Sequence, residues 1–141
     1  MVQPTHILVV DDESDLTQML QLHLEAEGYD VKTVGSGQAA LAALSGSHFD
    51  LLLVDIKMPD MNGLDLLRAA RQIDRSAAII VMTAYASVEI VVEALRLGVD
   101  DFLVKPFRIN FGLLPMVERC LARHARDTRP LRSHRSAEVA S

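Results

Sequence analysis

Five short apolar segments alternate with helical patterns along this 141-residue chain, and this alternation constrains the fold more than any other feature. The segments are His6–Val10, Asp30–Val34, Leu51–Val54, Ala78–Met82 and Phe102–Val104. Three of them are continuously apolar, as expected for strands that are buried on both faces. Strand–helix alternation with short connections predicts an α/β domain with right-handed crossovers. We expect a doubly wound, parallel, five-stranded sheet with strand order 2-1-3-4-5 and helices on both faces.

Length and composition favour a single folded domain. Half of the residues are apolar and 23% are charged, which excludes a chain that is disordered throughout. The single cysteine, Cys120, excludes an internal disulfide and a multi-cysteine zinc site. No apolar run reaches the ~18 residues of a membrane helix, and no secretory signal is visible. We therefore expect a cytoplasmic domain without membrane contact.

The charge is divided unevenly along the chain. Residues 1–118 hold 8 Lys and Arg against 17 Asp and Glu, whereas residues 119–141 hold 6 Arg against 2 acidic residues. An acidic body is a poor binder of nucleic acid but a suitable host for a divalent cation. We predict a domain over residues 1–125 and a polar, basic tail or linker over 126–141. The tail is more typical of a solvated segment than of nucleic-acid contact, which is the alternative.

The last helical pattern contains a proline near its start. Pro115 lies four or five residues after the expected helix start near Asn110. Proline is tolerated only in the first turn of a helix. The sequence therefore predicts that this helix begins late, near Gly112 or Leu113, or that it kinks at Pro115.

Polar and charged side chains follow four of the predicted strands. They are Asp11 and Asp12 after the first strand, Asp55 after the third, Thr83 after the fourth and Lys105 after the fifth. Singly, each has an ordinary explanation: Asp12 could cap a helix, Asp55 could stabilise a turn, and Lys105 could be a solvated lysine. In a doubly wound sheet, however, ligands bind beyond the carboxyl ends of the strands, where these side chains meet. Three adjacent carboxylates repel one another unless a cation intervenes, so the arrangement favours Mg²⁺, with Lys105 as a charge for a phosphate group.

These motifs resemble those of response-regulator receiver domains of two-component signalling. The matching segments are Leu8–Asp12, Val54–Gly63, Met82–Ala84 and Phe102–Phe107. The resemblance covers roughly residues 6–124 and implies a flavodoxin-like fold similar to that of chemotaxis regulators. Within the family, Met82–Tyr85 and Asp101–Phe107 are similar to receivers attached to enhancer-binding activators and also to stand-alone phosphorelay carriers.

The resemblance implies a role for each residue of the acidic cluster. Asp55 would accept a phosphoryl group from a sensor histidine kinase or a phosphotransfer protein. Asp12, Asp55 and the backbone carbonyl of Lys57 would bind Mg²⁺, with Asp11 acting mainly through a bound water. Lys105 would neutralise the phosphoryl oxygens. Such a domain is a signalling phosphoacceptor, and it catalyses only its own phosphorylation and dephosphorylation.

The resemblance also implies a switch. Thr83 would bond to the phosphoryl group and Phe102 would turn inward, which would change the surface of the fourth helix, fifth strand and last helix, the α4-β5-α5 surface of the family. Lys57 and Tyr85 would overhang the path of the attacking water and slow the loss of the phosphoryl group. The Lys105–Pro106 peptide is a candidate cis bond.

The fourth helical pattern carries two apolar stripes. We expect the core-facing stripe to comprise Val88, Val91, Val92 and Leu95. The opposite face carries Ile90, Ala94 and Leu97. We expect this second stripe to contact a partner or a second receiver in a homodimer, and the alternative is a set of unrelated exposed apolar residues.

Two other functions remain open at this point. A haloacid-dehalogenase-like phosphatase also uses an aspartate at a strand end, but it needs a second acid two residues later, where this chain has Lys57. A phosphorylation-independent interaction module with the same fold usually lacks part of the acidic pocket, and this sequence has every part.

Overall fold

A parallel sheet forms the centre of the computed structural model, which describes residues 4–84 and 86–133, with side chains described up to Ala125. Its strands are β1 (His6–Val10), β2 (Asp30–Val34), β3 (Leu51–Asp55), β4 (Ala78–Thr83) and β5 (Asp101–Val104). Within the described ranges this sheet has five strands in the order β2-β1-β3-β4-β5. The predicted order is therefore confirmed. Every residue of β3 and β4 is buried, which explains their continuous apolar sequences.

Helices cover both faces of the sheet, as predicted. They are α1 (Ser14–Ala26), α2 (Gly37–Gly46), α3 (Gly63–Ile73), α4 (Val88–Arg96) and α5 (Leu114–Ser133). Successive strand residues point to opposite faces, so Leu52 packs in one apolar cluster and Leu53 in another. The first cluster includes Leu67 of α3, and the second includes Leu20 of α1 and Val117 of α5. Among the described residues, no helix is both long and apolar enough to cross a membrane.

Helix α5 begins later than Asn110, as the position of Pro115 predicted. Residues Ile109–Leu113 form a wide π-helical turn, in which the N–H of Leu113 donates to the carbonyl of Arg108 at 2.9 Å. The α-helix then begins at Leu114, which places Pro115 in the first turn, where a missing N–H costs nothing. The predicted domain boundary at residue 125 falls within this helix and stays a prediction.

The assignment of the two faces of α4 is wrong. Ala94 is fully buried, and Ile90 and Leu97 pack against the core. Val88, Val92 and Leu95, expected in the core, are exposed. With about 100° per residue, the charged side chains of α4 lie midway between the two apolar stripes, so they do not indicate which stripe faces inward. Those charged residues are Glu89, Glu93 and Arg96.

Candidate functional site

Three carboxylates converge at the carboxyl ends of β1 and β3. Asp11 follows β1 and Asp55 is the last residue of β3, with only 1% and 5% of their surfaces exposed. Asp12 is exposed to solvent. One side-chain oxygen from each of the three lies within 4.8 Å of the others. The structure thus brings together the acidic residues that the sequence predicted.

Lys105 bridges two of these carboxylates from the end of β5. Its Nζ lies 2.7 Å from Oδ2 of Asp11 and 2.9 Å from Oδ2 of Asp55. The backbone supports this position, because the N–H of Lys105 donates to the carbonyl of Thr83 at 2.9 Å. The following peptide, Lys105–Pro106, is cis, as predicted. A third carboxylate, that of Glu13, lies 3.7 Å from Nζ.

The remaining oxygens of the two buried carboxylates accept backbone hydrogen bonds. Oδ1 of Asp11 accepts from the N–H of Glu13, and Oδ1 of Asp55 accepts from the N–H of Lys57, both at 2.9 Å. Each carboxylate is therefore held on one side by the loop that follows its strand and on the other by Lys105. This arrangement fixes both side chains.

Burial and charge compete in setting the pKa values of this cluster. Burial raises the pKa of Asp11, and the neighbouring charge of Asp55 adds to this, while Lys105 opposes it without reversing the direction. For Lys105, burial would lower the pKa, but the hydrogen bonds with Asp11 and Asp55 outweigh it and raise the pKa. The ammonium group therefore stays charged, and the acidic cluster retains a surplus of negative charge that a cation could neutralise.

Asp12 does not cap α1, which was one ordinary explanation for this residue. The N-cap of α1 is Glu13, and its side chain makes no capping hydrogen bond. The carboxylate of Asp12 instead contributes an oxygen to the acidic cluster.

The predicted switch residues lie in β4 and β5. Thr83 is the last residue of β4 and is almost fully buried. Phe102 is partly buried in β5 and packs against the apolar cluster that contains Ala94 of α4. The side chain of Lys57 is exposed beside Asp55. Tyr85 lies outside the described residues.

Sequence reasoning missed Glu13 and Arg71, which both have well-defined contacts. Glu13 approaches Lys105, and the signal was present, because it is the third acid in the run that follows β1. The other is Arg71, whose guanidinium donates at 2.7 Å to the carbonyls of Ala77 and Gly98 and at 2.9 Å to that of Leu97. Its partners are backbone carbonyls in the turn after α4 and directly before β4, so no residue type marks them in the sequence.

Comparison with known proteins decides the family. Residues 7–113 match the family profile described as the response regulator receiver domain. The chain belongs to this family. It is a receiver domain of two-component response regulators, which favours that interpretation over a haloacid-dehalogenase-like phosphatase or a phosphorylation-independent module.

Curated relatives of this receiver are larger proteins. The chain is 38% identical over 121 residues to the regulatory protein AtoC of Escherichia coli (strain K12), which covers 86% of this chain and 26% of AtoC. It is 38% identical over 108 residues to the probable transcriptional regulatory protein TcrX of Mycobacterium tuberculosis, covering 77% of this chain and 46% of TcrX. The receiver thus spans less than half the length of either relative.

Solved receiver structures share the fold over nearly their whole length. A CheY-like receiver domain protein from Methanospirillum hungatei JF-1 superposes with a TM-score of 0.86 at 33% identity, covering 89% of this chain and 99% of that one. The response regulator TrrA from Thermotoga maritima, in complex with Mg²⁺-BeF, gives a TM-score of 0.73 at 32% identity and covers 82% and 98%.

Proposed function

We propose that Asp55 is the phosphoacceptor of this receiver domain. One observation carries the proposal: Asp55 ends β3 and shares the ammonium group of Lys105 with the buried carboxylate of Asp11, with Oδ2 of Asp55 2.9 Å from Nζ. A carboxylate is a competent nucleophile for phosphoryl transfer, and the product is a reactive acyl phosphate that suits a transient signal.

The donor set fits Mg²⁺. Asp12, Asp55 and the carbonyl of Lys57 offer the hard oxygen ligands that this ion prefers, and Asp11 could contribute through a water. Asp12 is exposed, so an ion can reach it from solvent. When bound, the ion would supply positive charge to the transferring phosphoryl oxygens and help to orient them.

The protein groups supply positioning and charge for the transfer. An oxygen of Asp55 attacks the phosphorus of a phosphohistidine, the new O–P bond forms as the N–P bond breaks, and the electron pair returns to the imidazole. Lys105 is placed to neutralise negative charge on the phosphoryl oxygens. Asp11 keeps Lys105 in place through the 2.7 Å contact between Oδ2 and Nζ. We infer that the donor is a sensor histidine kinase or a phosphotransfer protein.

Thr83 and Phe102 form the switch in this proposal. A phosphoryl group on Asp55 adds acceptor oxygens at the end of β3, and β4, which pairs with β3, ends in Thr83. Movement of Thr83 toward these oxygens would draw the following loop inward and leave space that Phe102 can fill. The consequence is a changed surface over α4, β5 and α5, through which a partner or a second receiver would bind.

Lys57 and Tyr85 control the lifetime of the phosphoryl group in this proposal. Hydrolysis needs a water in line with the phosphorus, and both residues stand two positions beyond a site residue, Asp55 or Thr83. We expect the Lys57→Ala/Tyr85→Ala double variant to lose the phosphoryl group faster than wild type. Unchanged decay in the double variant would remove these two residues from the proposal.

The output of the whole protein is inferred from its relatives. TcrX is described as a transcriptional regulatory protein, and other relatives are named DNA-binding response regulators. We infer that this receiver regulates transcription through further protein segments or partners rather than by contacting nucleic acid itself.

The chemical nature of the modification tests the proposed function. The protein is labelled with ³²P-acetyl phosphate and Mg²⁺ and then treated with hydroxylamine, which cleaves acyl phosphates but not phosphate esters of serine or threonine. We expect the label to be released by hydroxylamine and to be absent from Asp55→Asn, while the exposed control Asp65→Asn is labelled as wild type. A hydroxylamine-resistant label, or equal labelling of Asp55→Asn, would contradict the assignment.

A further inference from the structure

Asp60 joins the loop after β3 to the beginning of α2. Its Oδ1 accepts the N–H of Gly37 at 3.0 Å, and its Oδ2 accepts the N–H of Gln38 at 3.1 Å. These two amides open α2 and have no partner within the helix, as is general for the first turn. The local cap is Ser36, whose Oγ accepts the N–H of Ala39. The loop after β3, through Asp60, therefore completes the cap of α2.

The carboxylate of Asp60 is stabilised in its charged form. Hydrogen bonds from the amides of Gly37 and Gln38 lower the pKa of Asp60. The positive end of the α2 dipole favours the same charge. At neutral pH this contact is consequently a charge-assisted one, although Asp60 itself is exposed to solvent.

A close apolar contact holds the same loop against α2. A Cβ atom on Gly37 would lie 2.9 Å from Sδ and 3.0 Å from Cβ of Met61. Only glycine permits this approach without displacement of Met61. Met61 also packs against the core, so the tip of the loop is seated by both a polar and an apolar contact.

The tip of this loop, Asp60 and Met61, is connected by a short ladder to Lys57, whose carbonyl would bind the metal. Lys57 pairs with Asn62, and Met58 pairs with Met61, in a short antiparallel ladder. At the base of this loop, Gly63 lies so close to Ile56 that a Cβ atom on Gly63 would overlap it. The contacts of the loop tip with α2 are therefore linked through this ladder to the backbone of Lys57.

We propose that Asp60 is a positioning residue for the metal-binding loop: by docking on the first turn of α2, it fixes the carbonyl of Lys57 and thereby sets the affinity for Mg²⁺. This inference rests on the proposed function, because it assumes that the Lys57 carbonyl is a ligand. Groups that orient metal ligands commonly change metal affinity when they are removed, even though they do not touch the ion.

Calorimetric titration with Mg²⁺ alone tests the inference. We expect Asp60→Ala to weaken Mg²⁺ binding about 10-fold, and Asp60→Asn to weaken it less, because the amide retains one acceptor. Asp65→Ala is the matched control, since it removes an exposed carboxylate that also follows β3. Hydrogen exchange of the Gly37 and Gln38 amides should accelerate in Asp60→Ala and not in Asp65→Ala.

The outcomes separate this inference from the proposed function. If Asp60→Ala binds Mg²⁺ within about twofold of Asp65→Ala, the inference is overturned, even if Asp60→Ala melts at a lower temperature. Such a result would make Asp60 a structural cap only, and Asp55 could still be the phosphoacceptor. If wild type itself binds no Mg²⁺, the proposed metal site fails and the inference fails with it.

Discussion

The ammonium group of Lys105 lies 2.7 Å from the carboxylate of Asp11, although 94 residues separate them in the sequence. The parallel direction of the strands allows this contact, because β1 and β5 both end at the edge where the ligand site lies, although β3 and β4 lie between them. Before any ion binds, Lys105 is the main positive charge within reach of the two buried carboxylates among the described residues.

Loss of this charge should destabilise the metal-free protein. We expect Lys105→Met to lower the free energy of unfolding by about 3 kcal/mol, because it leaves two buried carboxylates without their cation. Urea denaturation in the presence of a chelator measures the change. Lys32→Met, at an exposed lysine, is the control and should have little effect. Equal stability of the two variants would show that Lys105 does not neutralise the cluster.

Mg²⁺ should stabilise the folded receiver through Asp12. At about 100 times its dissociation constant, an ion that binds only the folded state adds about 2.7 kcal/mol of stability. We expect Mg²⁺ to raise the melting temperature of wild type, and Asp12→Ala to remove most of that rise. Without Mg²⁺, Asp12→Ala should be at least as stable as wild type, because carboxylate repulsion is reduced. A normal Mg²⁺ response in Asp12→Ala, as expected of the control Asp15→Ala, would show that Asp12 is not a ligand.

The exposed stripe of α4 is the corrected candidate for the partner surface. Val88 and Leu95 are 78% and 53% exposed. We expect Val88→Glu/Leu95→Glu to weaken self-association of the beryllofluoride-activated protein in sedimentation experiments while leaving phosphorylation intact. Ile90→Glu/Leu97→Glu should instead destabilise the fold, because these side chains pack against the core. If activated wild type dimerises and Val88→Glu/Leu95→Glu dimerises equally well, the interface lies elsewhere.

Low pH should weaken the contact between Asp74 and Ser76, which lies at the edge of the sheet opposite to the acidic cluster. Burial would raise the pKa of Asp74, but hydrogen bonds from the hydroxyl and N–H of Ser76 and the nearby His48 outweigh it and lower the pKa. A lowered folded-state pKa contributes stability that is present above the ordinary carboxyl pKa of about 3.9 and is lost as the pH falls through the folded value. We expect Asp74→Asn to be about 1 kcal/mol less stable than wild type at pH 6. This difference should shrink as the pH falls below about 4, and a difference independent of pH would contradict the account.

The sequence predicted the sheet and the acidic site because both depend on local signals. Continuous apolar segments mark buried strands, and the rule for carboxyl ends then brings Asp11, Asp55 and Lys105 together. The faces of α4 could not be predicted in this way, because both stripes are apolar and only docking on the sheet distinguishes Ala94 from Val92.

Contacts with backbone groups also escaped prediction. Asp60 is one acid among many in the sequence, and its partners are the amides of a helix whose start lies more than twenty residues away. Such partners carry no residue signature, so only the folded structure reveals them.

Intact-mass spectrometry after incubation with acetyl phosphate and Mg²⁺ tests the central claim most directly. Phosphorylation of one carboxylate adds ~80 Da. The account predicts this increase in wild type, its loss when a chelator replaces Mg²⁺, and its absence in Asp55→Asn. An unmodified wild type, or an Asp55→Asn variant that gains the same mass, would contradict the assignment of Asp55 as the phosphoacceptor.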